Sequence, residues 1–65
     1  MMTEKEAQAR AAALGLSAWV VQAIAVGPKS RRIDLYCIGF ASMGLALVEA
    51  ESWEEAFFQL ADIIE

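Results

Sequence analysis

The chain has 65 residues, of which 58% are hydrophobic, and a net charge of −4, which gives room for one domain, residues 1–65, with one modest core. A domain this small hides only about 60% of the surface its unfolded chain exposes, and typical apolar content is about 45–50%, so apolar side chains are left over for a membrane, a second copy or another protein. Histidine is absent and Cys37 is the single cysteine, which excludes an internal disulfide, an imidazole general base and a zinc site built from this chain alone.

The chain starts Met1-Met2-Thr3-Glu4-Lys5-Glu6, acidic rather than basic ahead of any apolar stretch, so a secretory signal is not expected and a cytoplasmic setting is. Thr3 with Glu6 is a capping box for a first helix, alanine-rich over residues 7–14. Gly15 stands where a left-handed residue ends a helix, with Leu16 placed for the apolar contact of a Schellman ending. Ala7, Ala11 and Leu14 form its expected inward stripe.

Residues 19–26 are β-branched and aromatic enough to read as a strand, although both of its faces are apolar and its register stays open. Gly27-Pro28 is a turn dipeptide, and Lys29-Ser30-Arg31-Arg32 completes a basic loop. A second strand is expected over residues 33–38 and a further turn between Gly39 and Gly44. Residues 45–49 read as a third strand, but the stretch 43–50 is equally readable as the start of the last helix. Ser52 with Glu55 is a second capping box, which favours a fresh helix start at Trp53. Trp53, Phe57, Leu60 and Ile64 share one face of that helix, with Ala56 and Ile63 widening it. Glu54, Glu55, Asp62 and Glu65 fall on the other face.

Two uncharged stretches, residues 11–28 and 35–48, flank the basic loop and would draw as a membrane hairpin. The second falls short of the roughly 20 residues a span needs, and the first is broken by Gly15, Ser17 and Gln22, so no membrane partner is expected. Charge is strongly polarised. The first 32 residues hold five bases and two acids, and the remainder hold seven acids and no base. An acidic half of this kind steers toward basic surfaces.

The expected fold is α+β: two layers in the order α-β-β-β-α, a three-stranded antiparallel sheet with both helices on one face. Ile33, Leu35, Cys37, Leu45 and Leu47 are the expected partners of the helices. The opposite face would then carry Tyr36, Ile38 and Val48, joined by Trp19 or Phe40, an apolar patch suited to an interface. A one-residue register error would exchange these two sets. Glu51, Glu54, Glu55 and Asp62 form a second candidate surface, an acidic one. Lys29, Arg31 and Arg32 form a third, basic one.

The element order over essentially the whole chain resembles the double-stranded-RNA-binding-domain fold. In that family RNA is held by the first helix, the loop between the first two strands and a lysine-rich start of the last helix. The loop matches with Lys29, Arg31 and Arg32, but Ser52-Trp53-Glu54-Glu55-Ala56 is acidic where the family is basic, and carboxylates there repel phosphate. A shorter likeness covers Val48 to Ile64, where Val48-Glu49-Ala50-Glu51-Ser52-Trp53-Glu54-Glu55-Ala56 is similar to the strand-to-helix passage of HicB-type antitoxins. The small, acidic α+β profile is also similar to phage-encoded inhibitors such as anti-CRISPR proteins, which present carboxylates in place of phosphates.

No convergent catalytic set, metal site or cofactor motif is visible, and Gly27-Pro28-Lys29-Ser30 lacks the spacing of a phosphate-binding loop. The expectation is a non-enzymatic protein that binds a protein partner as an inhibitor or regulator. A homodimer module and a nucleic-acid-binding module are the alternatives.

Overall fold

The computed structural model describes residues 1–64. It contains α1 (Glu4–Ala13), β1 (Ser17–Ala25), β2 (Arg31–Phe40), a short 3-10 turn (Ala41–Met43), β3 (Leu45–Ala50) and α2 (Trp53–Ile64). The strands form one antiparallel sheet in the order β1-β2-β3. Of residues 43–50, Leu45–Ala50 therefore supply a third strand and none belongs to the last helix.

Local chemistry accounts for both helix boundaries of α1. The Thr3 hydroxyl accepts from the Glu6 amide at 3.2 Å, and the Glu6 carboxylate accepts from the Thr3 amide at 3.3 Å. At the other end Leu16 donates to the Ala11 carbonyl and Gly15 to that of Ala12. Gly15 sits at φ +76°, so these two bonds make the Schellman ending. In α2, the Ser52 hydroxyl accepts from the Glu55 amide at 3.2 Å, which is one half of the anticipated box.

Both helices pack on the same face of the sheet. Ala7 and Ala11 of α1 meet Ala18, Ile38, Val48 and Ala50 of the three strands, together with Trp53, Ala56, Phe57 and Leu60 of α2. Alanines on α1 let it lie close to β1, while α2 brings the bulk. Arg10 lays its guanidinium 4.7 Å from the centre of the Phe57 ring, tying the two helices together by a cation–π contact.

The face assignment of the strands differs from the sequence expectation. Ile38 and Val48 are buried in the core between sheet and helices, and Tyr36 packs edge-on against Trp53 with ring centres 4.8 Å apart. The register pairs Ile38 with Val48, Tyr36 with Ala50 and Ala18 with Ile38, so these residues share the helix face. Ile33, Leu35 and Cys37 point the other way, because side chains alternate along a strand.

Two features reversed the expectation. Asp34 lies on the helix face but is exposed, since β3 reaches back only to Tyr36 and leaves the β1–β2 arm uncovered beyond it. A β-bulge between Ile38 and Gly39 also shifts the phase of β3, so the alternation of Leu45 and Leu47 cannot be extended to Val48. Three smaller expectations change as well. Leu14, the C-cap of α1, and Ile63 and Ile64 in the last turn of α2 are exposed. The turn expected between Gly39 and Gly44 is present as Ala41–Met43 closed by Gly44, but β2 runs on through Phe40, so Gly39 is a buried strand residue. Arg31 and Arg32 belong to β2, paired with Ala25 and Ile24, which leaves Lys29 as the loop's basic residue.

Candidate functional site

One whole face of the sheet carries no helix. Register and alternation place on it Trp19, Val21 and Ala23 from β1, Ile33, Leu35 and Cys37 from β2, and Glu49 from β3. The solvated face of an antiparallel sheet is ordinarily polar. Here it is apolar across two strands, with Glu49 and Arg31 at its margins. Val21 is 39% exposed, and Trp19, Ile33 and Leu35 are half-buried.

Cys37 sits at the centre of this face, opposite Trp19 and Glu49 in the register. It is buried yet stands apart from the cluster under the helices. Its thiol leans toward the Leu35 carbonyl at 3.7 Å. Burial, and then the Glu49 carboxylate, push the thiol's pKa upward. It is therefore held as a neutral, unreactive group rather than an activated nucleophile.

Of the residues expected to form the apolar interface, only Trp19 lies on the open face. Tyr36, Ile38 and Val48 face the helices, and Phe40 ends β2 beside Leu45, where it is 39% exposed. Val21 joins Trp19 there, as the sequence allows, whereas Ile33 and Leu35 are expected from the sequence on the helix side. The signal that could have found them is Glu49. An acid one residue from Val48 is more simply accommodated on the open side, which sends both Val48 and Ala50 inward.

The acidic residues do not converge on a single surface. Glu54 is engaged locally: its carboxylate accepts from the Met2 amide at 2.7 Å. That bond and the one from its own amide hold its pKa below the usual carboxylate range. Glu55 and Asp62 are exposed and lie seven residues apart on the outer side of α2, with Phe58, 72% exposed, between them. Glu51 belongs instead to the β3–α2 junction, where it borders a shallow hollow with Arg31, Ile33, Asp34 and Tyr36. Lys29 sits at the hairpin tip, while Arg31 and Arg32 point to opposite faces of β2, so the three bases do not form one patch.

A second open depression lies between the β1–β2 arm and the helices, lined by Val20, Gln22, Asp34, Tyr36 and Trp53. Its groups do not pair a nucleophile with a base. Among the described residues, no group of three or more His, Cys, Asp or Glu side chains could hold a metal ion. No helix among them is long and apolar enough to cross a membrane. No protein-family model matches the chain, and no curated protein or solved structure matches it.

Proposed function

We propose that this chain is a non-catalytic protein-binding domain, an inhibitor or regulator that docks its partner on the open face of the sheet. The observation that carries the reading is the uncovered apolar surface of Trp19, Val21, Ile33 and Leu35. Aromatic and branched apolar side chains exposed together are the usual anchors of protein interfaces.

Charge narrows the partner. Glu49 lies at the margin of the open face and Glu51 adjoins it, so a complementary surface is apolar at its centre and basic along the β3 side. The more specific form of the reading is a small phage-encoded, cytoplasmic anti-defence protein of the anti-CRISPR kind, occupying a basic, nucleic-acid-binding surface of its target. Exposed Glu49 at the margin of the open face and Glu51 at the adjoining β3–α2 junction support that form by offering carboxylates where a nucleic acid offers phosphates.

The test compares variants in capture of partners from the source cell, followed by titration of the purified partner. Leu35→Lys should abolish the interaction, because it places a charge at the centre of the apolar surface without touching the core. Glu49→Lys with Glu51→Lys should weaken it in a salt-dependent way. Full binding by Leu35→Lys would remove the open face from the reading. Full binding by the double reversal would remove the nucleic-acid mimicry.

A further inference from the structure

The outer edge of β1 is the least protected backbone in the molecule. A sheet edge presents a row of unpaired N–H and C=O groups, and natural proteins blunt such edges with charges, proline, bulges or short length. The other free edges here are blunted in these ways. The stretch of β2 beyond β3 carries Arg31, Arg32 and Asp34, and β3 is short, bulged and carries Glu49.

β1 has none of these devices. It runs nine residues, Ser17–Ala25, with no charge and no proline, and its register with β2 is unbroken. Among the described residues, no hydrogen bond outside the β1–β2 ladder reaches it.

We infer that two copies of this chain pair antiparallel along β1, about a twofold axis at Val21, to form one continuous six-stranded sheet. The inference goes beyond the partner-binding reading and holds independently of it. Three observations select a second copy as the occupant. First, an antiparallel edge is complementary to itself under twofold symmetry. Placing the axis at the strand's midpoint, Val21, brings all nine residues into the ladder, whereas moving it shortens the pairing.

Second, this register places exposed apolar groups where cover exists. Ile24 is 67% exposed on the helix face, because it lies beyond its own helices, and Val26 is 98% exposed. Pairing about Val21 sets Ile24 opposite Ala18 of the second copy, a residue buried in the cluster with Ala7 and Ala11 of α1. It also sets Val26 opposite Leu16 of the second copy. Each copy's bare strand end thereby meets the other's covered end.

Third, no like charges are brought together in the ladder, since Ser17–Ala25 is uncharged. The axis also keeps the faces in step. Trp19 meets Ala23 of the second copy on the open side, while Val20 meets Gln22 on the helix side.

Sedimentation equilibrium and light scattering on the full chain test this. At about 100 µM, which populates a complex with a Kd in the low micromolar range, the wild type should be a dimer. Val21→Lys places two like charges opposite one another at the axis and should raise the dimer Kd about tenfold or more. Circular dichroism should show it still folded, since Val21 lies outside the core. Should Val21→Lys not fold, Ile24→Lys serves in its place and is expected to weaken the dimer similarly. Leu35→Lys, on the open face away from the edge, should remain a dimer. A monomeric wild type overturns the inference. So does dissociation by Leu35→Lys, which would mean that copies pair face to face, and so does an undiminished dimer in a folded Val21→Lys.

Discussion

Ile38→Ala and Leu35→Ala alter the same strand three residues apart, on opposite faces, and their costs should differ severalfold. Ile38 has no exposed surface and lies in the cluster joining all three strands to α1 and α2. Truncating such a side chain removes its transfer energy and leaves a cavity, typically costing about 2–5 kcal/mol. A domain of this length is worth about 3–10 kcal/mol in total, at roughly 0.05–0.15 kcal/mol per residue. Even the lower cost therefore removes a large share of the stability and lowers Tm by about 8–16 °C. Leu35 is half-buried on the face without helices. Its truncation forfeits about half of a full burial and seals no cavity, roughly 1 kcal/mol. Thermal and urea unfolding followed by the fluorescence of buried Trp53 and by circular dichroism would measure both at one fixed protein concentration, because the proposed dimer would make stability concentration-dependent. A loss from Leu35→Ala equal to or larger than that from Ile38→Ala would refute the assignment of faces.

Gly39→Ala should destabilise by about 1–3 kcal/mol or more, read as a drop in Tm with faster amide exchange in β3; an unchanged Tm would refute it. A Cβ at Gly39 would strike the Leu45 carbonyl oxygen and lie 2.8 Å from both the Ala46 Cα and the Leu47 amide nitrogen, all backbone atoms that cannot swing aside. Native Cys37 should react with a disulfide reagent more slowly than in denaturant, since it is buried and burial, then Glu49, push its thiol pKa upward; labelling of the folded chain as fast as the denatured one would contradict this. The Met2 amide shift should titrate with Glu54 below the ordinary carboxylate range and lose that step in Glu54→Gln. The Glu54 pKa is lowered in the fold, chiefly by the Met2 amide, so what it contributes is present above the unfolded value and is lost as pH falls through the folded one.

The parts of the fold legible in the sequence are those governed by local chemistry. Thr3 with Glu6, Gly15 with Leu16, and Ser52 all mark helix ends through hydrogen bonds made within a few residues. The stripe Trp53, Ala56, Phe57 and Leu60 was equally readable, because helix periodicity and burial agree there. What the sequence concealed depends on long-range pairing. β2 is apolar on both faces around Tyr36-Cys37-Ile38, so alternation alone does not say which side the helices take. The one polar residue that broke the pattern, Asp34, misleads, because it lies on the helix face but past the reach of β3. Gly39 read as a turn residue, and only the close passage of the Leu45–Leu47 backbone shows why a glycine is needed inside the strand.

The surplus of apolar residues has two outlets that meet on a single strand. Trp19, Val21 and Ala23 belong to the open face through their side chains, while the same residues offer β1's outer edge through their backbone. Pairing two copies about Val21 would satisfy that backbone and join the two open faces into one surface. Val21 of both copies would then sit at the centre, flanked on each side by a Trp19 opposite the other copy's Ala23. The joined surface is still without cover, so dimerisation does not consume the proposed docking face but enlarges it. A partner that binds there would contact both copies across the axis and stabilise the dimer in proportion to its own affinity, by linkage. Saturating partner should therefore shift wild-type self-association to lower protein concentration. It should have a much smaller effect on Ile24→Lys, which leaves the open face unaltered but lacks the second copy's half of the surface.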